Sequence, residues 1–94
     1  MISCDGDHCT LRGPLTMDNV VAVLDEGARL LPWGPRIVVD LAGVTEVDSA
    51  AVSLLLEWRR TARRSGRKVE FANLSANLKS LAALYGVSEL LGAA

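Results

Sequence analysis

Residues 44–58, VTEVDSAAVSLLLEW, join an apolar run to a strongly helical one through the pair Asp48-Ser49. Either side chain can accept hydrogen bonds from the free N–H groups that open a helix, and a small hydroxyl there lets another backbone come close. Ala50, Ala51 and Ser53 follow, so the surface behind the pair is flat and unobstructed. Helix capping and protein docking fit these residues equally well, and neither is a reaction. Elsewhere the groups that could react do not converge. Cys4 and Cys9 flank His8, but no second ligand cluster exists and the spacing is not that of a zinc motif, so two reduced thiols in or beside a short strand are expected. The pairs Asp5/Asp7, Asp25/Glu26 and Glu46/Asp48 read as solvated turns or helix faces. The single His lies away from any Ser on a nucleophile turn, and no glycine-rich phosphate loop occurs. No catalytic residue, metal or cofactor is therefore expected, since catalysis needs titratable groups converging on a pocket.

One basic run remains: Arg59, Arg60, Arg63, Arg64, Arg67 and Lys68. At helical spacing Arg60, Arg63, Arg64 and Arg67 share a face. A docking patch for an acidic or phosphate-bearing partner is one reading. A solvated helix end, where cations meet the negative end of the helix dipole, is the other, and it is preferred here. No aromatic residues interleave for base stacking, so nucleic acid is not expected as a partner.

Composition supports a small folded binding module. The chain has 94 residues, half of them hydrophobic, 22% charged and only 4% aromatic, so one aliphatic core of Leu, Val, Ile and Ala is expected in a single domain, residues 1–94. A net charge of −1 gives no long-range field that would draw the whole chain to nucleic acid or an anionic membrane. In MISCDGDHCT, acids and a His stand where a signal peptide would carry a basic segment and an apolar core. A soluble, cytoplasmic protein without membrane insertion is expected, and in that compartment a disulfide is not.

The elements that must position the Asp-Ser pair follow from periodicity. HCTLRGPLT alternates weakly and is broken at Gly13-Pro14, which predicts an edge strand and a turn. Thr16 is the expected N-cap of MDNVVAVLDEGARLL, with Asp18 in its first turn and an inward stripe of Val20, Val21, Leu24, Ala28 and Leu31. PWGP, residues 32–35, stops that helix. RIVVDLAG reads as a short strand covered on both faces. AAVSLLLEWRRTARR is the central helix, ending at Ser65-Gly66, with Trp58 placed in the core beside Ala51, Leu55 and Ala62. KVEFAN is a strand, and Asn73 or Ser75 caps ANLKSLAALYG, which closes at Gly86. Residues 1–6 leave room for a further strand. The expectation is an α/β sandwich: a mixed or parallel sheet of about four strands with three helices mostly on one face.

The run IVVDLAGVTEVDSAAVSLLLEW resembles the signature of STAS domains, in which an apolar strand ending in Asp-Leu leads through a short loop to Val-Asp-Ser/Thr and a leucine-rich helix. KVEFANLSANLKSLAALYGVSELL is similar to the closing strand and helix, so the resemblance covers roughly residues 9–91. Anti-sigma-factor antagonists of that family carry Asp-Ser-Ser-Gly at the joint and are phosphorylated on the second Ser. Here Ala50 occupies that position, and a methyl group cannot carry the charge switch. The MlaB-like members, subunits of a phospholipid-transport ABC complex of the MlaFEDB kind that maintains outer-membrane lipid asymmetry, have one hydroxyl residue followed by small residues. They also have a Leu-Ala-x-Leu-Tyr ending, matched by Leu81-Ala82-Ala83-Leu84-Tyr85. That resemblance implies a non-catalytic regulator, cytoplasmic and peripheral to the inner membrane through the complex, that binds an MlaF-like ATPase subunit. The contacts implied are Asp48, Ser49, Ala50, Ala51 and Ser53, with Arg60 and Tyr85 as secondary ones. The alternative is an anti-sigma-factor antagonist that binds an anti-sigma kinase without the phosphoacceptor Ser.

Overall fold

The computed structural model describes residues 1–31 and 34–92. The chain runs β1 (Ile2–Asp5), β2 (His8–Leu15), α1 (Val20–Leu30), β3 (Arg36–Val47), α2 (Ser49–Arg64), β4 (Lys68–Ala72) and α3 (Ala76–Leu84). The strands form one mixed sheet in the order β1-β2-β3-β4, with β1 antiparallel to β2 and the other pairs parallel. Alternation along the strands sends Cys9, Leu11, Leu15, Ile37, Val39 and Leu41 to one face. There they meet Ala51, Leu54, Leu55 and Trp58 of α2, Val23 of α1, and Leu78 and Ala82 of α3 in one core. The helices cover that face. The opposite face carries polar side chains, among them His8, whose Nε2 lies 3.7 Å from Asp40 Oδ2, and Arg36, paired with Glu70 at 2.7 Å.

Several expectations need correction. β2 is not an edge strand: β1 occupies the edge, and β2 passes through Gly13-Pro14 with register shifts that accommodate the missing proline N–H. β3 does not stop near Gly43. Gly43 lets the strand continue to Val47, because a Cβ there would lie 2.9 Å from the Leu11 carbonyl oxygen and from Arg12 Cγ. Nor is β3 covered on both faces; Val38 and Asp40 are only half-buried, as expected of a sheet with helices on one side. The Cys4 and Cys9 thiols are not reduced but joined in a disulfide. The turn at Gly6-Asp7 folds β1 directly onto β2 and sets Cys4 opposite Cys9, with their Cα atoms 4.0 Å apart.

α1 starts later and faces differently than its pattern suggests. Asn19, not Thr16, is the cap residue, and Asp18 precedes the helix. Residues 16–19 form a turn closed by Asn19 Oδ1, which accepts from the Thr16 N–H at 2.9 Å. Val20, Val23, Gly27 and Leu31 turn inward, while Val21, Leu24 and Ala28 face solvent. Gly27 sets this orientation: its Cα packs against the Trp58 ring so closely that a Cβ would sit 2.6 Å from Cζ2. Part of PWGP, Pro32 and Trp33, lies outside the described residues. The central and last helices match expectation, with Gly66 and Gly86 in left-handed conformations after them. Ser75 rather than Asn73 caps α3, its Oγ accepting from Leu78 N–H at 3.1 Å. Asn73 instead adopts φ +57 and donates through Nδ2 to Asp40 at 3.0 Å.

Candidate docking site at the start of the central helix

β3 ends at Val47 and α2 begins at Ser49, so Asp48 alone makes the joint. Its carboxylate does two things. Oδ1 accepts the Ala50 N–H at 2.8 Å, capping the helix, and Oδ2 accepts the Met17 N–H at 3.0 Å, tying the β2–α1 connection to the same point. Because Asp48 takes the capping role, Ser49 is left exposed, and its hydroxyl has no hydrogen-bond partner among the described residues. One turn on, Ser53 is also exposed, with its Oγ donating weakly to the Ser49 carbonyl at 3.4 Å. Ser49, Val52, Ser53, Leu56, Tyr85 and Val87 line a shallow groove of about 380 Å³.

The candidate residues divide on this surface. Asp48, Ser49, Ala50 and Ser53 come together, and Tyr85, 52% exposed, closes one side of the groove. Ala51 does not belong to the surface: it is fully buried, on the helix face that carries Leu55 and Trp58 into the core. Arg60 continues the outward stripe Ser49-Ser53-Leu56, but eleven residues along the helix, about 16 Å away, where it pairs with Glu57. Sequence reasoning missed the apolar flank. Met17, bound to Asp48 through its backbone, is 74% exposed, and Val21 and Leu24 carry an exposed apolar line along α1. The signal that could have found it was Gly27, since a glycine inside a helix marks close packing and makes 20-23-27-31 the inward stripe.

The charged groups that depart from ordinary titration lie elsewhere, on the open sheet face. Asp40 is held below the usual carboxylate range, first by the Asn73 hydrogen bond and then by the Ala42 N–H and His8. The Arg36 hydrogen bond lowers Glu70. Among the described residues no group of three or more His, Cys, Asp or Glu could hold a metal ion, and no helix is long and apolar enough to cross a membrane. The joint is thus an exposed patch of small polar residues with apolar borders and no reactive group beside it, which suits it to contact another protein.

A family model described as "Mlab, STAS domain" matches residues 3–92. The chain belongs to the STAS domain family. STAS domains are binding domains that contact partner proteins, and the model matched is not that of an enzyme family. A search of curated proteins finds no match. Among solved structures, Mglu is 26% identical with a TM-score of 0.62; the alignment covers 81% of this chain but only 20% of Mglu, so the chain spans about a fifth of that protein. The anti-sigma factor antagonist SpoIIAA, in its unphosphorylated form, is 14% identical with a TM-score of 0.73 over 95% of this chain and 82% of that one. The murine anion transporter Slc26a9, inward-facing, is 21% identical with a TM-score of 0.72 over 87% of this chain and 14% of that one. The last two likenesses show the STAS fold, a four-stranded mixed sheet with three helices.

Proposed function

We propose that this STAS domain is a non-catalytic subunit that binds and regulates the cytoplasmic ATPase of an ABC phospholipid transporter of the MlaFEDB kind, and that it docks through the start of α2. The observation that carries the reading is the joint itself. Asp48 caps the helix, Ser49 is exposed with a hydroxyl unengaged among the described residues, and Ala50 stands where a switching antagonist would carry its phosphoacceptor. The description of the matched family model and the Leu84-Tyr85 ending, whose Tyr85 lines the same groove, support it further. Asp48, Ser49, Ala50 and Ser53 make the central contact, Tyr85 and Met17 its apolar rim, and Arg60 a peripheral one. Regulation would follow only if the partner binds this surface differently in its two conformations, because equal affinity for both shifts nothing. The protein would work in the cytoplasm, held at the inner membrane by the complex.

Titration of the purified ATPase subunit of the host transporter with this protein tests the reading. Ser49→Arg places a long charged side chain in the centre of a close contact without touching the core. It should weaken binding at least a hundredfold and leave the melting temperature unchanged. Undiminished binding by the folded variant contradicts the proposal.

A second reading, an anti-sigma-factor antagonist, is favoured by the likeness of the fold to SpoIIAA. Such a chain would bind its kinase without being switched by it. Transfer of labelled phosphate from ATP to Ser49 by an anti-sigma kinase would revive the switch and displace the transporter reading.

A further inference from the structure

Six of the ten Lys and Arg residues fall within residues 59–68, and no Asp or Glu lies between Glu57 and Glu70. The other four cations share the remainder of the chain with all eleven carboxylates, so a net charge of −1 conceals a strongly polarised molecule. The structure gathers the six at one pole, the C-terminal end of α2 and the start of β4. Arg60 pairs with Glu57 and Lys68 with Glu70, but Arg59, Arg63, Arg64 and Arg67 make no ion pair among the described residues. They spread over both flanks of the helix end. Arg59, Arg63 and Arg67 border a groove of about 440 Å³ beside β4, whose wall also carries Glu70 and Glu89, and Arg59, Arg60, Arg63 and Arg64 border another of about 570 Å³ with no carboxylate in its lining. Leu90, 42% exposed, lines both grooves.

We infer that this pole is a contact surface for an anionic lipid bilayer, with Arg59, Arg63, Arg64 and Arg67, unpaired among the described residues, against lipid phosphates and Leu90 at the headgroup boundary. Cations fanned over two flanks match a plane of negative charge better than a single acidic strand, which would use one groove. The polarity supplies orientation: an anionic plane attracts the arginine pole and repels the acidic remainder. α2 is about 24 Å long, so a partner at Ser49 and a membrane at the far pole can be engaged together. The inference does not depend on which partner docks at Ser49. Each cation near an anionic surface raises partitioning about fivefold.

Flotation of the full-length protein with vesicles tests it. Wild type should float with phosphatidylcholine vesicles containing about one-third phosphatidylglycerol, not with phosphatidylcholine alone, and should be released as salt rises from about 0.05 to about 0.5 M. The triple variant Arg59→Gln, Arg63→Gln, Arg67→Gln should lose about a hundredfold in partitioning. The corresponding triple Lys variant, which keeps the charge but not the planar fork, should stay within a few-fold of wild type, and Ser49→Arg should bind as wild type does. Absent or lipid-independent flotation of wild type overturns the proposal, as does a Gln variant that still floats. A Lys variant that falls as far as the Gln variant also overturns it, because recognition would then be that of a discrete acidic group on another protein.

Discussion

Asp48 holds two backbone donors at once, Ala50 N–H at the helix start and Met17 N–H from the β2–α1 connection. Removing it by Asp48→Ala should cost about 1–2 kcal/mol, the range for a lost cap with a second donor left unbonded, read as a lower urea midpoint with an unchanged slope. A change below about 0.5 kcal/mol would mean that water replaces the carboxylate at both donors. On the open sheet face, Asp40 has a depressed folded pKa, so its contribution to stability is present above the unfolded value of about 3.9 and is lost as pH falls through the lower folded value. Wild type should therefore lose more stability between about pH 5 and pH 2 than Asp40→Asn does, measured by urea unfolding across that window; equal losses would contradict the coupling. A cap at the Asp48-Ser49 pair was legible in the sequence because it depends only on neighbours, but which of the two residues caps was not. The Cys4–Cys9 bond was not, because it depends on which residues form the turn, and the compartment argument pointed the other way.

At the scale of elements, α2 and α3 could be read almost to the residue, since cap, apolar stripe and terminal glycine agree in each. α1 could not. Its apolar residues support two stripes, and the choice between them is tertiary: Gly27 against a ring that is 2% exposed. Gly27→Ala gains about 1 kcal/mol of helix propensity but forces a Cβ into Trp58, and overpacking in a fixed core costs about 1–3 kcal/mol. A net loss in thermal stability is the expected result. Val21→Thr, on the outward stripe, should change stability by less than about 0.5 kcal/mol. A neutral Gly27→Ala with a costly Val21→Thr would restore the stripe read from the sequence. β2 and β3 show a similar limit: Gly13, Pro14 and Gly43 looked like strand ends, but in the sheet they are where the β2–β3 pair shifts register and packs closely.

Over the whole molecule, the layered architecture was legible because strands and helices alternate, and the basic run of residues 59–68 was legible too, although it was read as a solvated helix end because the net charge is near zero. α2 connects the two proposed contact surfaces. Its first turn carries Ser49 on the small-residue surface, and its C-terminal half carries Arg59, Arg60, Arg63 and Arg64. Of the proposed docking residues, the exposure of Ser49 and Ser53 was legible, but Ala51 was placed outside when its spacing with Trp58 puts it in the core. The apolar rim of Met17 and Tyr85 emerged only when α1 and α3 were placed beside α2. The measurement that tests the central claim most directly is affinity co-purification from the native host, wild type beside Ser49→Arg, with retained proteins identified by mass. An ABC-type ATPase recovered with wild type and lost with the variant is the predicted result. Recovery of an anti-sigma kinase in its place, or of the ATPase equally with both proteins, would contradict it.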